Sequence, residues 1–331
     1  MAILVTGAAG FIGFHVAEAL LSRGETVIGV DDLNSYYDPA LKHARLSQLS
    51  TRYGNTFVFH KLDFADEAKL DDALVDVKIQ RIVHLGAQAG VRYSIENPRA
   101  YVRSNLVGHV NLLEFARTRK VAHLVYASSS SVYGANKKLP FGVEDRVDHP
   151  VSLYAATKKS DELMSETYSH LYRIPQTGLR FFTVYGPWGR PDMAMWIFTK
   201  AILAGKPIPV FNHGQMQRDF TYIDDITAGV IACLDNPPAD DGAIKPGGSI
   251  APHRIYNIGN NKPEQLGTLI NLIEQACDRE AIRDYRDMQP GDVPATYADI
   301  NAISSDLGFA PTTSLQVGVP RFVEWYRNYN K

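Results

Sequence analysis

The sequence predicts an α/β fold, a doubly wound parallel sheet joined to a smaller, irregular C-terminal domain. Three observations predict it. Apolar runs of strand length alternate with helical patterns over residues 1–180, which argues a parallel sheet with helices on both faces. The first run leads through Gly7-Ala8-Ala9-Gly10-Phe11-Ile12-Gly13 into a helical pattern. After about residue 181 prolines and glycines become frequent (Pro187, Gly189, Pro191, Pro207, Pro209, Gly214) and the alternation stops. A chain of 331 residues is long enough for two such parts.

Ile3-Leu4-Val5 reads as a buried strand. Val16, Leu20 and Leu21 mark the helix after the glycines, and Gly24 ends it. Val27-Ile28-Gly29-Val30 is the next strand, closing on Asp31. This strand–glycine turn–helix–strand–acid unit is of the Rossmann type. Gly7, Gly10 and Gly13 let the backbone turn tightly and approach a pyrophosphate, whose charge the helix N-terminus favours. An acid at the end of the second strand bonds the adenosine ribose and repels a 2′-phosphate, which selects NAD over NADP.

The alternation continues with a strand over 56–63, a helix over about 67–77 and a strand over 81–85 that ends at Gly86-Ala87-Gln88-Ala89-Gly90. A helix over about 98–119 carries Val102, Leu106, Val110 and Leu113 on one face. A strand over 123–127 runs into Ser128-Ser129-Ser130-Ser131, and another covers 176–180. Ligands of such sheets bind at the carboxyl ends of the strands. Asp31, Asp63, Gly86, Ser129 and Arg180-Phe181-Phe182-Thr183 all follow strand ends, which places them along one crevice. Residues 1–180 are therefore read as the NAD-binding domain and 181–331 as the substrate-binding region. A segment near 221–250, helical over about 224–235, is expected to pack back on the first domain. Residues 236–252, rich in Pro, Gly and Asp, are expected as a mobile surface loop.

Composition excludes several classes. A net charge of −2 gives no reason to expect a nucleic-acid or anionic-membrane partner. No apolar run reaches membrane-spanning length, and the start has no basic region or cleavage site, so a cytoplasmic location is expected. Cys233 and Cys277 lie in apolar surroundings and read as buried thiols; neither a metal site nor a disulfide framework is expected.

The stretch Ser152-Leu153-Tyr154-Ala155-Ala156-Thr157-Lys158 opens a long amphipathic helix. Residues four apart share a helix face, so Tyr154 and Lys158 point the same way. A free phenol has a pKa of about 10 and is a poor base at neutral pH. A nearby cation favours the phenolate, which makes the pair a proton-transfer device. Taken alone, the spacing reads better as a core tyrosine beside a solvated lysine, because Y-x-x-x-K arises often by chance, and the rest of the chain decides it.

Gly7-x-x-Gly10-x-x-Gly13, Tyr154-x-x-x-Lys158, the serine-rich strand end, Arg218-Asp219-Phe220-Thr221-Tyr222 and Gln289-Pro290-Gly291-Asp292-Val293-Pro294 together resemble the extended short-chain dehydrogenase/reductase family. Its members act on nucleotide sugars and hold NAD tightly. More narrowly, residues 31–38, 89–94 and 186–193 resemble UDP-glucuronate 4-epimerases. The resemblance implies that Tyr154 is the catalytic base and acid, that Lys158 holds the nicotinamide ribose, and that Ser129 bonds the sugar 4′-oxygen. It implies cofactor contacts for Gly7, Gly10, Phe11, Ile12, Gly13, Asp31, Asn34, Asp63, Phe64, Gln88 and Asn105. Substrate contacts are implied for Thr183, Arg218 (on the diphosphate), Tyr222 and Asp292, with Ser130 and Ser131 beside them. Arg190 matches the position tied to carboxylate recognition, and Arg92 follows a strand end from which it reaches sugar or phosphates. Galactose-type epimerases carry Arg where Gln289 stands, so no phosphate contact is assigned to Gln289.

The implied reaction is 4-epimerisation of a UDP-sugar through a 4-keto intermediate. UDP-glucose and UDP-N-acetylhexosamine remain alternative substrates. Dehydratases of the family carry Asp-Glu just before Val-Tyr-Gly, and decarboxylases carry Glu; this chain has Ser130-Ser131, which have no acid function without a partner base. An NAD-sensing regulator on the same scaffold is the non-enzymatic alternative, and such proteins usually lack the Tyr and Lys. The resemblance also implies a homodimer through the helices near 98–119 and 152–172, although packing on the sheet explains their apolar faces equally well.

Overall fold

In the computed structural model, which describes residues 1–289 and 291–331, seven strands form the central sheet. Six of them lie where the sequence predicts: β1 (Ala2–Thr6), β2 (Thr26–Asp31), β3 (Phe57–Lys61), β4 (Ile79–His84), β5 (His123–Ser129) and β6 (Gln176–Phe181). After these come β7 (Thr183–Tyr185), β8 (Ile208–Phe211), β9 (Gln217–Tyr222), β10 (His253–Ile258), β11 (Pro263–Gln265) and β12 (Arg283–Arg286). The order across the large sheet is β3-β2-β1-β4-β5-β6-β10, with every pairing parallel. Helices cover both faces, so β1, β6 and β10 are buried along their whole length. The remaining strands form two small sheets, β11-β9-β7 and β12-β8.

The seventh strand, β10, comes from the part of the chain read as substrate-binding. It begins His253-Arg254 and lacks an apolar run. His253 is nevertheless buried because its ring bonds Tyr126 Oη (2.8 Å) and Glu166 (2.8 Å). The helix Ile223–Asp235 packs on the first helix, Phe11–Ser22. The stretch 236–252 has no regular element, yet side chains tie it down. Arg173 pairs with Asp240, Gly247 N–H donates to Glu144 (2.9 Å) and Ser249 to Glu166 (2.9 Å).

A helix over Pro39–Tyr53 was not among the expected elements. Asp38 caps it by accepting the Ala40 N–H (2.9 Å) and Pro39 opens it, an ordinary start signal. Its buried face includes Lys42 and Arg45 beside Leu41, Leu46 and Leu49, so the apolar period is interrupted. The helix expected over 98–119 runs from Pro98 to Thr118, with a π-helical segment at Val102–Val107. That segment carries Asn105, which is buried. π segments in helices concentrate at functional sites.

Cys233 and Cys277 are buried free thiols, pushed by burial up to about 12 and about 11. His84, His109 and His123 are buried too. Burial lowers His84 well below its ordinary value, His109 to about 3 and His123 to about 4. Each folded value lies below the unfolded one of about 6.5, so each contributes stability that is full above about pH 6.5 and is lost as the pH falls toward the folded value. Asp161 acts with the opposite sign: burial pushes its carboxyl up to about 7, against the pull of Lys158. Its contribution is therefore lost as the pH rises through that value. In His123→Gln the amide can keep the bonds to Leu234 O (3.1 Å) and Thr177 Oγ1 (3.0 Å) without binding a proton. The fall in Tm between about pH 7 and about pH 5 should be smaller in this variant than in the wild type. Equal falls in thermal melts would contradict a neutral His123.

Candidate active site

The sheet order reverses between β1 and β4, and a crevice opens where the loops leave the carboxyl ends of these strands. A cleft of about 1330 Å³, open to solvent, runs along it. Gly7 (φ +68°) and Gly13 make the close approach: a Cβ on Gly7 would lie 2.7 Å from Gly86 N, and one on Gly13 2.0 Å from Gly7 O. Only glycine fits at either place. Gly10 is the N-cap of the first helix; no side chain caps it and its first turn has no acid. Its N–H groups are left for an anion.

Asp31 ends β2 and is buried. Its Oδ1 accepts the Leu33 N–H (2.9 Å) and lies 3.5 Å from Lys42 Nζ, which is equally buried. Burial pushes the Asp31 carboxyl up while Lys42 pulls it down. Asn34, Tyr36, Tyr37, Asp63 and Phe64 also line this end. Asp63 accepts from Ala65 N–H (2.9 Å) and pairs with Arg103 (2.7 Å). Arg45 is wholly buried beneath: it donates to Ala9 O (2.8 Å) in the glycine loop and to Trp188 O (2.5 Å) in the loop before Arg190.

The long helix spans Leu153–Tyr172, capped by Ser152, which accepts the Ala155 N–H (3.1 Å). Tyr154 and Lys158 both line the cleft. Tyr154 is half-buried, and its phenol makes no hydrogen bond to another described residue. Lys158 Nζ is buried and donates to Ala127 O (2.9 Å) and Asp161 Oδ2 (3.1 Å). An ammonium has three donors, so one remains. Ser129, at the end of β5, accepts the Ser131 N–H (3.1 Å), which leaves its own O–H to donate into the cleft. Ser128 also lines the cleft and donates to Glu162 (2.7 Å). Glu162 holds Arg180 through two bonds of 2.8 and 3.0 Å, a buried pair that fastens the long helix to β6. Asn105 does not line the cleft. It bonds both backbone groups of Gln88 (2.9 and 3.1 Å) and Thr157 Oγ1 (3.0 Å), and so holds the Gln88 loop against the long helix.

The expected substrate residues divide. Arg190 lines the cleft. Although burial alone would lower its guanidinium, Asp192 holds it above the ordinary value. Arg92 and Arg218 form a second group with Asp292: Arg92 pairs with Asp292 (3.4 Å) and lies over the Phe211 ring (4.9 Å). Burial lowers Arg218, Asp292 opposes this, and Arg92 adds to it. Gln289 Oε1 is buried with no partner among the described residues, and Pro290 of that run lies outside them. Thr183 is half-buried at the start of β7, and Ser130 and Ser131 sit in the turn after Ser129; none of the three lines the cleft. Tyr222 does not line it either. It packs edge-on to Tyr185 (5.5 Å) with Arg321 over its ring (5.7 Å). Four residues of strand cover about 13 Å, so Tyr222 at the far end of β9 does not share the surroundings of Arg218. Lys42, Tyr36, Asp161 and Asp192 are the site residues that the sequence reading missed. Tyr36 and Asp192 lie two positions from Asn34 and Arg190, Asp161 three from Lys158 and Lys42 eight from Asn34, but no local pattern shows what a polar or charged side chain pairs with.

The family model "NAD dependent epimerase/dehydratase family" matches residues 3–259. The chain belongs to this family. The members most similar to it include the "Probable UDP-glucuronate 4-epimerase" of Rhizobium meliloti, 48% identical with 100% of this chain and 98% of the relative covered. Among solved structures, UDP-glucuronic acid 4-epimerase from Bacillus cereus, in complex with UDP-glucuronic acid and NAD, is 33% identical (TM-score 0.86; 99% and 100% covered). UDP-glucose 4-epimerase from Thermotoga maritima, with UDP-glucose, is 28% identical (TM-score 0.87; 100% of both). The residues here fit the NAD on which the family depends. Gly7, Gly10 and Gly13 leave room and N–H groups for a pyrophosphate, Asp31 would take the adenosine ribose, and the spare Lys158 donor the other ribose. Protein purified without added nucleotide should retain NAD. Asp31→Ser, which leaves Lys42 unpaired in the cleft, should retain some NADP, read by mass analysis after denaturation. NAD alone in the variant would show that Asp31 does not face the ribose.

Proposed function

We propose that the protein is an NAD-dependent isomerase that inverts C4′ of UDP-glucuronate to give UDP-galacturonate. The observation that carries this reading is that Tyr154, Lys158 and Ser129 line one cleft with the dinucleotide loop, while Ser130-Ser131 stand where a dehydratase or decarboxylase carries carboxylates. Bound NAD would supply reversible hydride exchange at C4′. The chain's own residues do the rest. Tyr154 takes the proton of the 4′-hydroxyl and later returns it. Ser129 donates to the same oxygen, and Lys158 holds its positive charge near the phenol. Arg92 and Arg218 meet the diphosphate, and Arg190 the sugar carboxylate. The Rhizobium relative and the Bacillus structure support UDP-glucuronate as the substrate. No helix among the described residues is long and apolar enough to cross a membrane, in keeping with a cytoplasmic enzyme. A homodimer through the helices Pro98–Thr118 and Leu153–Tyr172 is part of the proposal: Val102, Val107, Leu163, Leu171 and Tyr172 are exposed on them. Incubating the protein with UDP-glucuronate, UDP-glucose and dTDP-glucose in turn tests the reading. Faster epimerisation of UDP-glucose than of UDP-glucuronate overturns the substrate assignment.

A further inference from the structure

Arg190 does not stand alone in the cleft. Its Nε donates to Asp192 Oδ1 (3.0 Å) and its Nη2 to Asp192 Oδ2 (2.5 Å), a two-point grip on one edge of the guanidinium. Nη1 makes no hydrogen bond to a described residue, so donors of the adjacent Nη1–Nη2 edge stay free. The same Oδ2 also accepts the Tyr36 hydroxyl (3.1 Å), from the loop after β2. Tyr36 is itself placed. Its ring leans on Tyr93 (4.8 Å), and a Cβ on Gly90 would lie 2.9 Å from its oxygen and 3.8 Å from Arg190 Nη2. Asp192 thus joins loops from both sides of the cleft at one carboxylate. A planar fork held along one edge has a single orientation, which an arginine on a free stem lacks.

We infer that Asp192 and Tyr36 are positioning residues: they aim the free edge of Arg190 at the substrate carboxylate and thereby keep the reaction to epimerisation. The inference rests on the proposed UDP-glucuronate substrate. The chemistry makes orientation matter. While C4′ is a ketone the substrate is a β-keto acid. If its C5′–C6′ bond aligns with the carbonyl π system, that bond breaks and CO₂ leaves. The bonding pair moves onto the C4′ oxygen as an enolate, and C5′ then takes a proton from water to give a UDP-4-keto-pentose. A carboxylate pinned in the plane of the ketone cannot take this route.

The test is the ratio of pentose nucleotides plus CO₂ to UDP-galacturonate formed from UDP-glucuronate. A ratio does not change with the amount of folded enzyme, so a merely structural role would not move it. In Asp192→Asn the amide cannot grip the guanidinium at two points, and the ratio should rise at least about tenfold, the effect of losing a hydrogen bond to a charged group. Tyr36→Phe, which removes one donor, should move it the same way by a smaller factor and keeps the inference testable if Asp192→Asn does not fold. An unchanged ratio in whichever of the two folds and retains NAD overturns it. The wild type run alongside separates the two claims: if it does not convert UDP-glucuronate, the substrate assignment itself has failed.

Discussion

Tyr154→Phe should lower turnover by about 10²–10⁴-fold, the usual contribution of a positioned base, while NAD stays bound. The 4′-hydroxyl proton must go somewhere as C4′ is oxidised. Among the cleft residues near Tyr154, Lys158 is already bound to Ala127 O and Asp161, and Ser129 lacks a partner base. Asp161 is no substitute: it is buried behind Lys158 and does not line the cleft. Phenylalanine removes only the oxygen, so the packing of the ring against Tyr101 (6.0 Å) persists and the melting temperature should hardly change. Steady-state turnover together with the nucleotide content of the purified variant checks both halves. Near-normal turnover would remove Tyr154 from the mechanism.

Arg190→Ala should lower UDP-glucuronate turnover about ten- to hundredfold, the scale of losing hydrogen bonds to a charged group. It should also raise the UDP-pentose by-product. Without the guanidinium, the substrate carboxylate enters a cleft whose nearest remaining charge at that point is Asp192, so it is both uncompensated and repelled. UDP-glucose carries no such group and should be affected much less. Equal losses on the two sugars, measured as kcat/KM, would mean that Arg190 serves the shape of its loop rather than the carboxylate.

The sheet is legible in the sequence because parallel strands covered on both faces read as apolar runs, and Gly7, Gly10, Gly13 and Asp31 have spacings that a tight turn and a strand end dictate. Tyr154 and Lys158 are legible because helical periodicity sets which residues share a face. Other parts escape for stated reasons. The Pro39–Tyr53 helix buries Lys42 and Arg45, and a charged residue on an inner face breaks the apolar period. β10 is buried through the hydrogen bonds of His253 rather than through an apolar run. The π segment that carries Asn105 inward has no sequence signal of its own. Tyr222 shows the converse. The run Arg218–Tyr222 resembles the family as a block, yet a strand carries its two ends to different places. Asp219 within that run is buried and accepts the N–H groups of Asn260 (2.6 Å), Asn261 (3.1 Å) and Ala298 (3.0 Å), so part of the motif serves the fold.

One site should remove hydrogen from C4′ and return it to the opposite face without exchange with water. Incubating the purified protein with UDP-glucuronate carrying deuterium at C4′, in ordinary water, tests it most directly. The UDP-galacturonate formed should keep the deuterium at C4′. Formation of UDP-galacturonate with hydrogen from water at that carbon, or no UDP-galacturonate at all, would contradict it.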